Sequence, residues 1–175
     1  MELTRADLLS LLYKLATRLT DLGIHGTLRI VGGAAIALNY ANRPPTHDID
    51  ADFLSDNASE SEIRQVVEEL AIQEELTPQW LNPHAMVFLP KNVAADWIAF
   101  AQIGDVHIVL ASPTLLLSMK LQANRGGRDT EDIVVLMRVC DVESLEQAEA
   151  IYGKFNEGSP LSQGASELVS RLLSK

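Results

Sequence analysis

The stretch Thr27-Leu-Arg-Ile-Val-Gly-Gly-Ala-Ala-Ile-Ala-Leu-Asn-Tyr40 decides the fold of this chain. Residues 27–31 are mostly β-branched and apolar, which predicts a short strand, and residues 34–40, rich in alanine and leucine, predict a helix. Gly32 and Gly33 join the two. Glycines at such a turn let backbone N–H groups approach a phosphate closely, and the amino end of the helix adds partial positive charge. Alone, the segment is more typical of an ordinary tight turn, because it lacks the third glycine of a dinucleotide site and the Gly-Lys-Ser/Thr of a P-loop.

A second predicted strand carries closely spaced aspartates. After a break at residues 42–45, where two prolines cannot continue a helix, Thr46-His-Asp-Ile-Asp-Ala-Asp-Phe53 alternates polar and apolar residues and predicts a strand over 48–53. Residues two apart on a strand point to one face, so we expect Asp48 and Asp50 side by side, ~7 Å apart at the backbone. Such carboxylates repel unless they are protonated or share a cation, and Mg²⁺ suits them because it takes oxygen ligands and keeps room for water and phosphate. We expect Asp52 on the same face, farther along and nearer solvent.

Two other interpretations of these aspartates were tested on the sequence. A calcium-binding EF-hand loop that starts at Asp48 needs glycine at its sixth position and glutamate at its twelfth, whereas the chain has Phe53 and Ser59 there. That interpretation fails. A phosphatase of the haloacid-dehalogenase type also uses Asp-x-Asp at a strand end, but on its first strand and followed by a small, flexible segment. It stays a minor alternative.

A third cluster concentrates positive charge in an otherwise acidic chain. Residues 119–125 end one predicted helix and residues 126–133 begin the next, and they include Lys120, Arg125 and Arg128. A lysine at this place can hold a triphosphate, and an arginine can clamp a phosphate at two points. A second interpretation is a helix hairpin closed by ion pairs. The two interpretations are compatible if those ion pairs position Lys120. The acidic partners in such a hairpin would be Asp129, Glu131 and Asp132.

The rest of the chain alternates helix and strand patterns and then becomes wholly helical. Capping boxes at Thr4/Asp7 and Ser59/Glu62 open two helices, and Ser112-Pro113 opens another. Strands interleaved with helices, then helices alone, predict an α/β (α+β) fold with a mixed sheet flanked by helices and a C-terminal helical extension. The remaining predicted strands are 85–89, 96–102 and 106–111, and the remaining predicted helices are 59–70, 112–123, 129–139, 142–154 and 161–173.

Taken in order, these features resemble the nucleotidyltransferase fold of the DNA polymerase β superfamily. The resemblance rests on a strand followed by Gly32-Gly33, a helix and then the motif Thr46-x-Asp48-x-Asp50. The later block from Ser112 to Ile133 narrows it to AbiEii-type and related small bacterial nucleotidyltransferase-like proteins, often the toxin half of toxin–antitoxin pairs. The resemblance covers roughly residues 28–136. It implies a nucleotidyltransferase-like domain over residues 1–140, with residues 141–175 as a helical extension of the same domain.

The resemblance also implies roles for single residues. Asp48 and Asp50 would hold Mg²⁺ or Mn²⁺, and together with Lys120 they would be the catalytic residues, with an NTP as substrate. Asp129 or Asp132 would match a late acidic motif. The residues that would hold the nucleotide are Gly32, Gly33, Lys120, Arg125 and Arg128.

The chain departs from the superfamily at a third carboxylate, which other members often carry on a later strand. The predicted strand near residues 104–110 offers Asp105 and His107, two apart and so on one face. His107 can serve as a base or a metal ligand, although a lone strand histidine is more often structural. Asp96 is another candidate, in an irregular lead-in. Whether the active site is complete is therefore open at this stage.

Composition limits the compartment and the partners. The 175 residues include 14 Lys and Arg against 24 Asp and Glu, a net charge of −10, which disfavours nonspecific coating of nucleic acid. The single cysteine, Cys140, excludes a disulfide framework and a multi-thiolate metal site. The start lacks a signal-peptide pattern, and no apolar run reaches the ~18 residues of a membrane span. We therefore expect a cytoplasmic protein without membrane contact.

Two functions follow as expectations. The first is an enzyme that transfers a nucleoside monophosphate from an NTP to a hydroxyl of an RNA, such as tRNA, or of a protein, with an antitoxin protein as a further partner. The alternative is a catalytically weak or inactive member that works as a binding module. The leucine stripes of the first and last helices are either core faces or an oligomer surface.

Overall fold

The computed structural model describes residues 2–40, 44–90 and 96–174. Over these ranges, helices alternate with the strands of one mixed five-stranded sheet, which confirms the predicted α/β class. None of the helices in these ranges combines the length and the hydrophobicity that crossing a bilayer requires. Part of the predicted break at residues 42–45 lies outside the described residues.

The chain divides into two compact units. Unit 1 consists of Met1–Val87 and Trp97–Leu110, and unit 2 consists of Phe88–Asp96 and Ala111–Lys175. The predicted division after residue 140 stays a prediction. The elements are α1 (Arg5–Asp21), β1 (Gly26–Ile30), α2 (Gly32–Tyr40), β2 (Ile49–Leu54), α3 (Glu60–Gln73), β3 (Leu81–Asn82), a 3₁₀ helix (His84–Phe88), β4 (Trp97–Ile103), β5 (Val106–Ala111), α4 (Pro113–Ala123), α5 (Gly127–Val139), α6 (Leu145–Phe155) and α7 (Gln163–Leu173).

The sheet has the strand order β3-β2-β1-β5-β4. Strand β1 is central: it pairs antiparallel with β2, with Arg29 opposite Asp52, and parallel with β5, with Thr27 opposite His107. Strand β3 is only two residues long and pairs parallel with β2, so that Asn82 lies beside Asp50. This register determines which polar side chains share a place on the sheet.

The two faces of the sheet differ because side chains alternate along each strand. One face is apolar and buried, and helices α1, α2 and α3 form the rest of this core in unit 1. The opposite face is polar and at least partly exposed. The buried face includes Leu28, Ile30, Ile49, Ala51, Ile108 and Leu110, and the polar face includes Thr27, Arg29, Asp50, Asp52 and His107.

The predicted helix starts are confirmed by their caps. Thr4 with Asp7 and Ser59 with Glu62 form reciprocal capping boxes at α1 and α3. In unit 2, Ser112 accepts a hydrogen bond from the N–H of Leu115, and Pro113 follows in the first turn of α4. The next helices of unit 2 pack around α4, whose residues 115–121 are buried without a break.

The strand predicted at residues 85–89 is wrong. This segment is the 3₁₀ helix His84–Phe88, in which the N–H of Met86 donates to the carbonyl of Pro83. The side chain of Asn82 accepts a hydrogen bond from the N–H of His84 and starts the turn. The apolar residues of 85–89 imitate a buried strand, but Pro83 and the Asn82 contact turn the chain away from the sheet after two paired residues.

Candidate active site

Asp48 directly precedes β2 and Asp50 is the second residue of this strand, on the polar face of the sheet. Ile49 and Ala51, which alternate with them, are buried on the other face. Both aspartates are half-buried. This alternation puts Asp48 and Asp50 on the same face, as the sequence pattern predicts.

Asp50 packs directly against the glycine turn. The N–H of Val31 donates to the backbone carbonyl of Asp50 at 2.9 Å, which joins the end of β1 to the start of β2. Gly32 has a φ of +64°, and a β-carbon built there would lie 2.7 Å from Oδ2 of Asp50. A side chain at residue 32 would thus be strained by the backbone and would overlap the carboxylate. This glycine is what allows the carboxylate and the turn to meet.

The glycine turn also opens a helix. Gly32 and Gly33 are the first two residues of α2, where N–H groups have no partner inside the helix. These groups and the helix dipole favour an anion. The structure therefore brings the predicted phosphate-binding glycines and the predicted metal-binding Asp50 to one place.

Asn82 is a site residue that sequence reasoning missed. Its Nδ2 donates to Oδ2 of Asp48 at 3.0 Å, and its side chain is almost fully buried, with the residue 5 % exposed. The backbone N–H of Ala85, in the 3₁₀ helix, donates to Oδ1 of Asp50 at 3.1 Å. A signal was present in the Asn82-Pro83 pair, which is typical of a turn, but nothing in the sequence links it to residues 48–50.

Asp52 has a different partner from the other two aspartates. Its carboxylate forms a two-point ion pair with Arg29, its neighbour across the β1–β2 ladder. The hydrogen bonds that the Arg29 guanidinium donates to Asp52 raise the pKa of that guanidinium above its ordinary value, against the effect of partial burial. The guanidinium also lies 5.1 Å from the ring centre of Trp97, a cation–π distance. Asp52 thus lies on the polar face as expected, partly exposed, and Arg29 neutralises it there.

Asp105 and His107 lie far from the carboxylate pair. His107 is level with Thr27, whereas Asp50 is level with Val31, so the two are roughly 13 Å apart along the strands and two strands apart across them. Asp105 lies before β5, farther still in the same direction. The register of unit 1 therefore does not bring either candidate third group to the Asp48–Asp50 pair.

In unit 2, Lys120 is part of a buried ion cluster. Its Nζ lies 2.7 Å from Asp129 and 2.8 Å from Asp132, and all three residues are at most 6 % exposed. Arg125 donates to Asp129 from both its backbone and its guanidinium. Burial alone would raise the pKa of Asp129, but the hydrogen bonds and charges of Arg125 and Lys120 outweigh it and hold that pKa below its usual range.

The hairpin between α4 and α5 is thus closed by ion pairs, the simpler of the two expectations for this cluster. Arg128 lies exposed at the start of α5. The phosphate-binding roles of Lys120, Arg125 and Arg128 stay predictions.

Comparison with known proteins decides the family. The sequence profile of a family described as nucleotidyltransferase of unknown function (DUF6036) matches residues 7–159. The chain belongs to this nucleotidyltransferase family. No curated protein and no solved structure matches it. The family confirms the nucleotidyltransferase resemblance at this level and leaves the AbiEii type and the toxin role as proposals.

Two carboxylates would be part of the ligand set of a divalent ion, and water or phosphate oxygens would supply the rest. Within residues 2–40, 44–90 and 96–174, no three Asp, Glu, His or Cys side chains are grouped so that they could hold a metal ion. The other positions of the chain contain none of these four residue types. Mg²⁺ commonly binds through one or two carboxylates plus water and phosphate oxygens, so Asp48 and Asp50 are a sufficient protein ligand set for a nucleotide-bound ion.

A cleft of about 420 Å³ lies in unit 1 next to Asn82. It runs beside β2 beyond the point where β3 ends, and its walls are largely apolar. This volume is in the usual range for a small-molecule site. Side chains that line it include Phe53, Ile63, Val67, Leu81, Asn82 and His84.

Proposed function

We propose that this chain is a divalent-metal-dependent nucleotidyltransferase, an enzyme that moves a nucleoside monophosphate from an NTP to an acceptor hydroxyl. The observation that supports it most is the contact of Asp50 with Gly32, because carboxylate oxygens that would hold a metal ion lie beside helix N–H groups that would hold a phosphate. Membership of the nucleotidyltransferase family supports the same reaction class.

In the proposed reaction, the acceptor oxygen forms a bond to the α-phosphorus of the NTP. The bond from that phosphorus to the oxygen bridging to the β-phosphate breaks, pyrophosphate leaves with the electron pair, and the hydroxyl proton passes to water. When bound, Mg²⁺ or Mn²⁺ offsets the negative charge of the phosphates. Asp48 and Asp50 would hold the ion, and the N–H groups of Gly32 and Gly33 would hold the phosphate tail.

We assign the base of the nucleotide to the cleft beside Asn82. The cleft is next to the carboxylate pair through Asn82, which contacts Asp48. Its apolar walls, formed in part by Ile63 and Leu81, suit the faces of a nucleobase, and His84 and Gln79 are polar residues of its lining.

The test is transfer of label from each of the four α-³²P-labelled NTPs, with Mg²⁺ or Mn²⁺, to bulk tRNA or to the proteins of a lysate. We expect the wild type to label one acceptor class and Asp48→Asn to lose at least 100-fold in rate. Asp105→Asn is the matched control, since it removes a carboxylate of the same unit far from the pair. Absence of label with every NTP, or equal labelling by Asp48→Asn, would contradict the proposal.

The second candidate function is a binding module without transfer activity. Two observations favour it: no third carboxylate accompanies the pair in the described residues, and Lys120 is held by two buried aspartates. Calorimetry separates the two functions. NTP binding that needs Mg²⁺ and is lost in Asp50→Asn supports the enzyme, whereas no NTP binding together with a stable protein partner supports the module.

A toxin role rests on the resemblance to AbiEii-type proteins alone. If the chain is the toxin of a pair, its induced expression in a bacterium should stop growth, and Asp50→Asn should not. Co-expression of the neighbouring gene should restore growth through a protein antitoxin. Growth unaffected by the wild type would contradict this role without bearing on nucleotidyl transfer in vitro.

A further inference from the structure

The segment Asn82–Ala85 contacts both aspartates of the candidate site. The side-chain amide of Asn82 donates to Asp48, and the backbone N–H of Ala85 donates to Asp50. Each hydrogen bond ends on one oxygen of a carboxylate, Oδ2 of Asp48 and Oδ1 of Asp50. Two acidic side chains of one strand are therefore fixed by donors of one short segment about 35 residues later in the chain.

The orientation of the Asn82 amide is determined by partners of fixed polarity. Its Oδ1 accepts a hydrogen bond from the N–H of His84 at 2.9 Å, and its Nδ2 also donates to the carbonyl of Gln79 at 3.0 Å. A backbone N–H can only donate and a carbonyl can only accept, so the reversed amide would lose both bonds. Only the orientation with Nδ2 towards Asp48 satisfies this buried side chain.

The Ala85 donor is fixed in a similar way. Ala85 is the second residue of the 3₁₀ helix, where a backbone N–H has no acceptor within the helix. Oδ1 of Asp50 accepts this hydrogen bond. Because Asn82 also accepts the hydrogen bond of the His84 N–H, the start of the helix and both donors belong to one hydrogen-bonded segment.

We propose that residues 82–85 are a clamp that orients Asp48 and Asp50 for one shared divalent ion, with Asn82 as a positioning residue. The inference rests on the proposed function, since it concerns the same carboxylate pair. Donors of this kind are neutral, so they fix a carboxylate without cancelling the charge that attracts the ion.

The test is the affinity of the full-length chain for Mn²⁺ without nucleotide, measured by electron paramagnetic resonance. Asn82→Ala removes one donor and Ala85→Pro removes the other, since proline has no N–H and suits the first turn of a helix. Each should weaken Mn²⁺ binding 10- to 100-fold, the usual effect of losing a group that orients a metal ligand. Asp48→Asn removes a proposed ligand, so its Mn²⁺ affinity shows how large the effect of losing a ligand is.

Two control variants separate positioning from stability. Ala85→Ser keeps the backbone N–H and should bind Mn²⁺ as the wild type does. Asn57→Ala removes an asparagine that also joins backbone groups, those of Gly23 and His25, but at another part of unit 1. It should lower resistance to urea in EDTA, though less than Asn82→Ala because Asn57 is exposed, while Mn²⁺ affinity stays within twofold of the wild type.

The outcomes distinguish the clamp from the proposed function. Equal Mn²⁺ affinity of the wild type, Asn82→Ala and Ala85→Pro, with a loss in Asp48→Asn, would overturn the clamp alone. A wild type that binds no Mn²⁺ at the pair with or without an NTP, and no change in Asp48→Asn under either condition, would overturn both. Loss of affinity in Asn57→Ala as large as in Asn82→Ala would show a general effect on stability and would also overturn the clamp.

Discussion

The carboxylate of Asp50 lies against Gly32, so close that a β-carbon at residue 32 would be 2.7 Å from Oδ2. The two residues come from different elements, the start of β2 and the first turn of α2, and the positive φ of Gly32 makes the approach possible. Whatever binds at this turn therefore meets a carboxylate and helix N–H groups together.

Gly32→Ala should damage both stability and the site. An alanine at positive φ costs about 1 kcal/mol, and the overlap with Asp50 adds about 1–2 kcal/mol. Urea unfolding should show this loss, and Mn²⁺ binding should weaken because Asp50 must move. Gly153→Ala is the control: it lies in α6 with open space around it, so it should leave Mn²⁺ binding unchanged and stabilise the chain by about 0.5–1 kcal/mol. A Gly32→Ala variant with the stability and Mn²⁺ affinity of the wild type would contradict the close packing of residue 32 against Asp50.

Asp52→Asn should spare the metal site. Asp52 is paired with Arg29, so it is not expected to hold an ion together with Asp50. We expect Mn²⁺ affinity within twofold of the wild type, whereas Asp50→Asn should lose at least tenfold. The free energy of unfolding should fall by about 1 kcal/mol, since the pair is partly exposed. Equal losses of affinity in the two variants would show that Asp52 is a ligand.

Because of Asp129, the free energy of unfolding should fall when the pH is lowered into the acid range. Its pKa is held below the ordinary value of 3.8 in the folded state, so the unfolded state takes up the proton first as pH falls. The contribution is complete above pH ~4 and is lost as pH drops through the lower folded value. The difference in unfolding free energy between the wild type and Asp129→Asn should therefore be constant from pH 5 to 7 and shrink below pH 4. A difference that grows on acidification would contradict the ion cluster.

Ile63→Trp should block the cleft beside Asn82 without touching the metal ligands. If the cleft holds the base, NTP affinity in the presence of Mg²⁺ should fall at least tenfold, while Mn²⁺ affinity without nucleotide stays the same. Glu68→Gln, a change at the same cleft that adds no bulk, is the control. If Ile63→Trp leaves NTP affinity unchanged, the base does not bind in this cleft.

The carboxylate pair was predictable because its determinants are local. The two-residue period of a strand puts Asp48 and Asp50 on one face whatever the rest of the chain does, and the glycines mark the turn at Gly32. The helix caps at Thr4, Ser59 and Ser112 were predictable for the same reason, since a cap needs only its own first turn.

The donors that hold the pair were not predictable, because they depend on tertiary register. Asn82 meets Asp48 only because a strand of two residues pairs beside Ile49 and Asp50. Ala85 contacts Asp50 only because residues 84–88 form a 3₁₀ helix instead of a strand. Burial of Lys120 is similar: its sequence neighbours suggest a cation ready for phosphate, and only the packing of α4 and α5 shows its ammonium between two carboxylates.

The pairing of β1 with β5 has a consequence for how the chain folds. Thr27 and His107 are partners although they are about 80 residues apart in the chain, and closing so long a loop has a high entropic cost before any contact offsets it. On the ribosome, residues 32–85 are synthesised well before β5. Until β5 has been synthesised, one edge of β1 has no strand to pair with, and an unpaired strand edge is prone to pair with another chain.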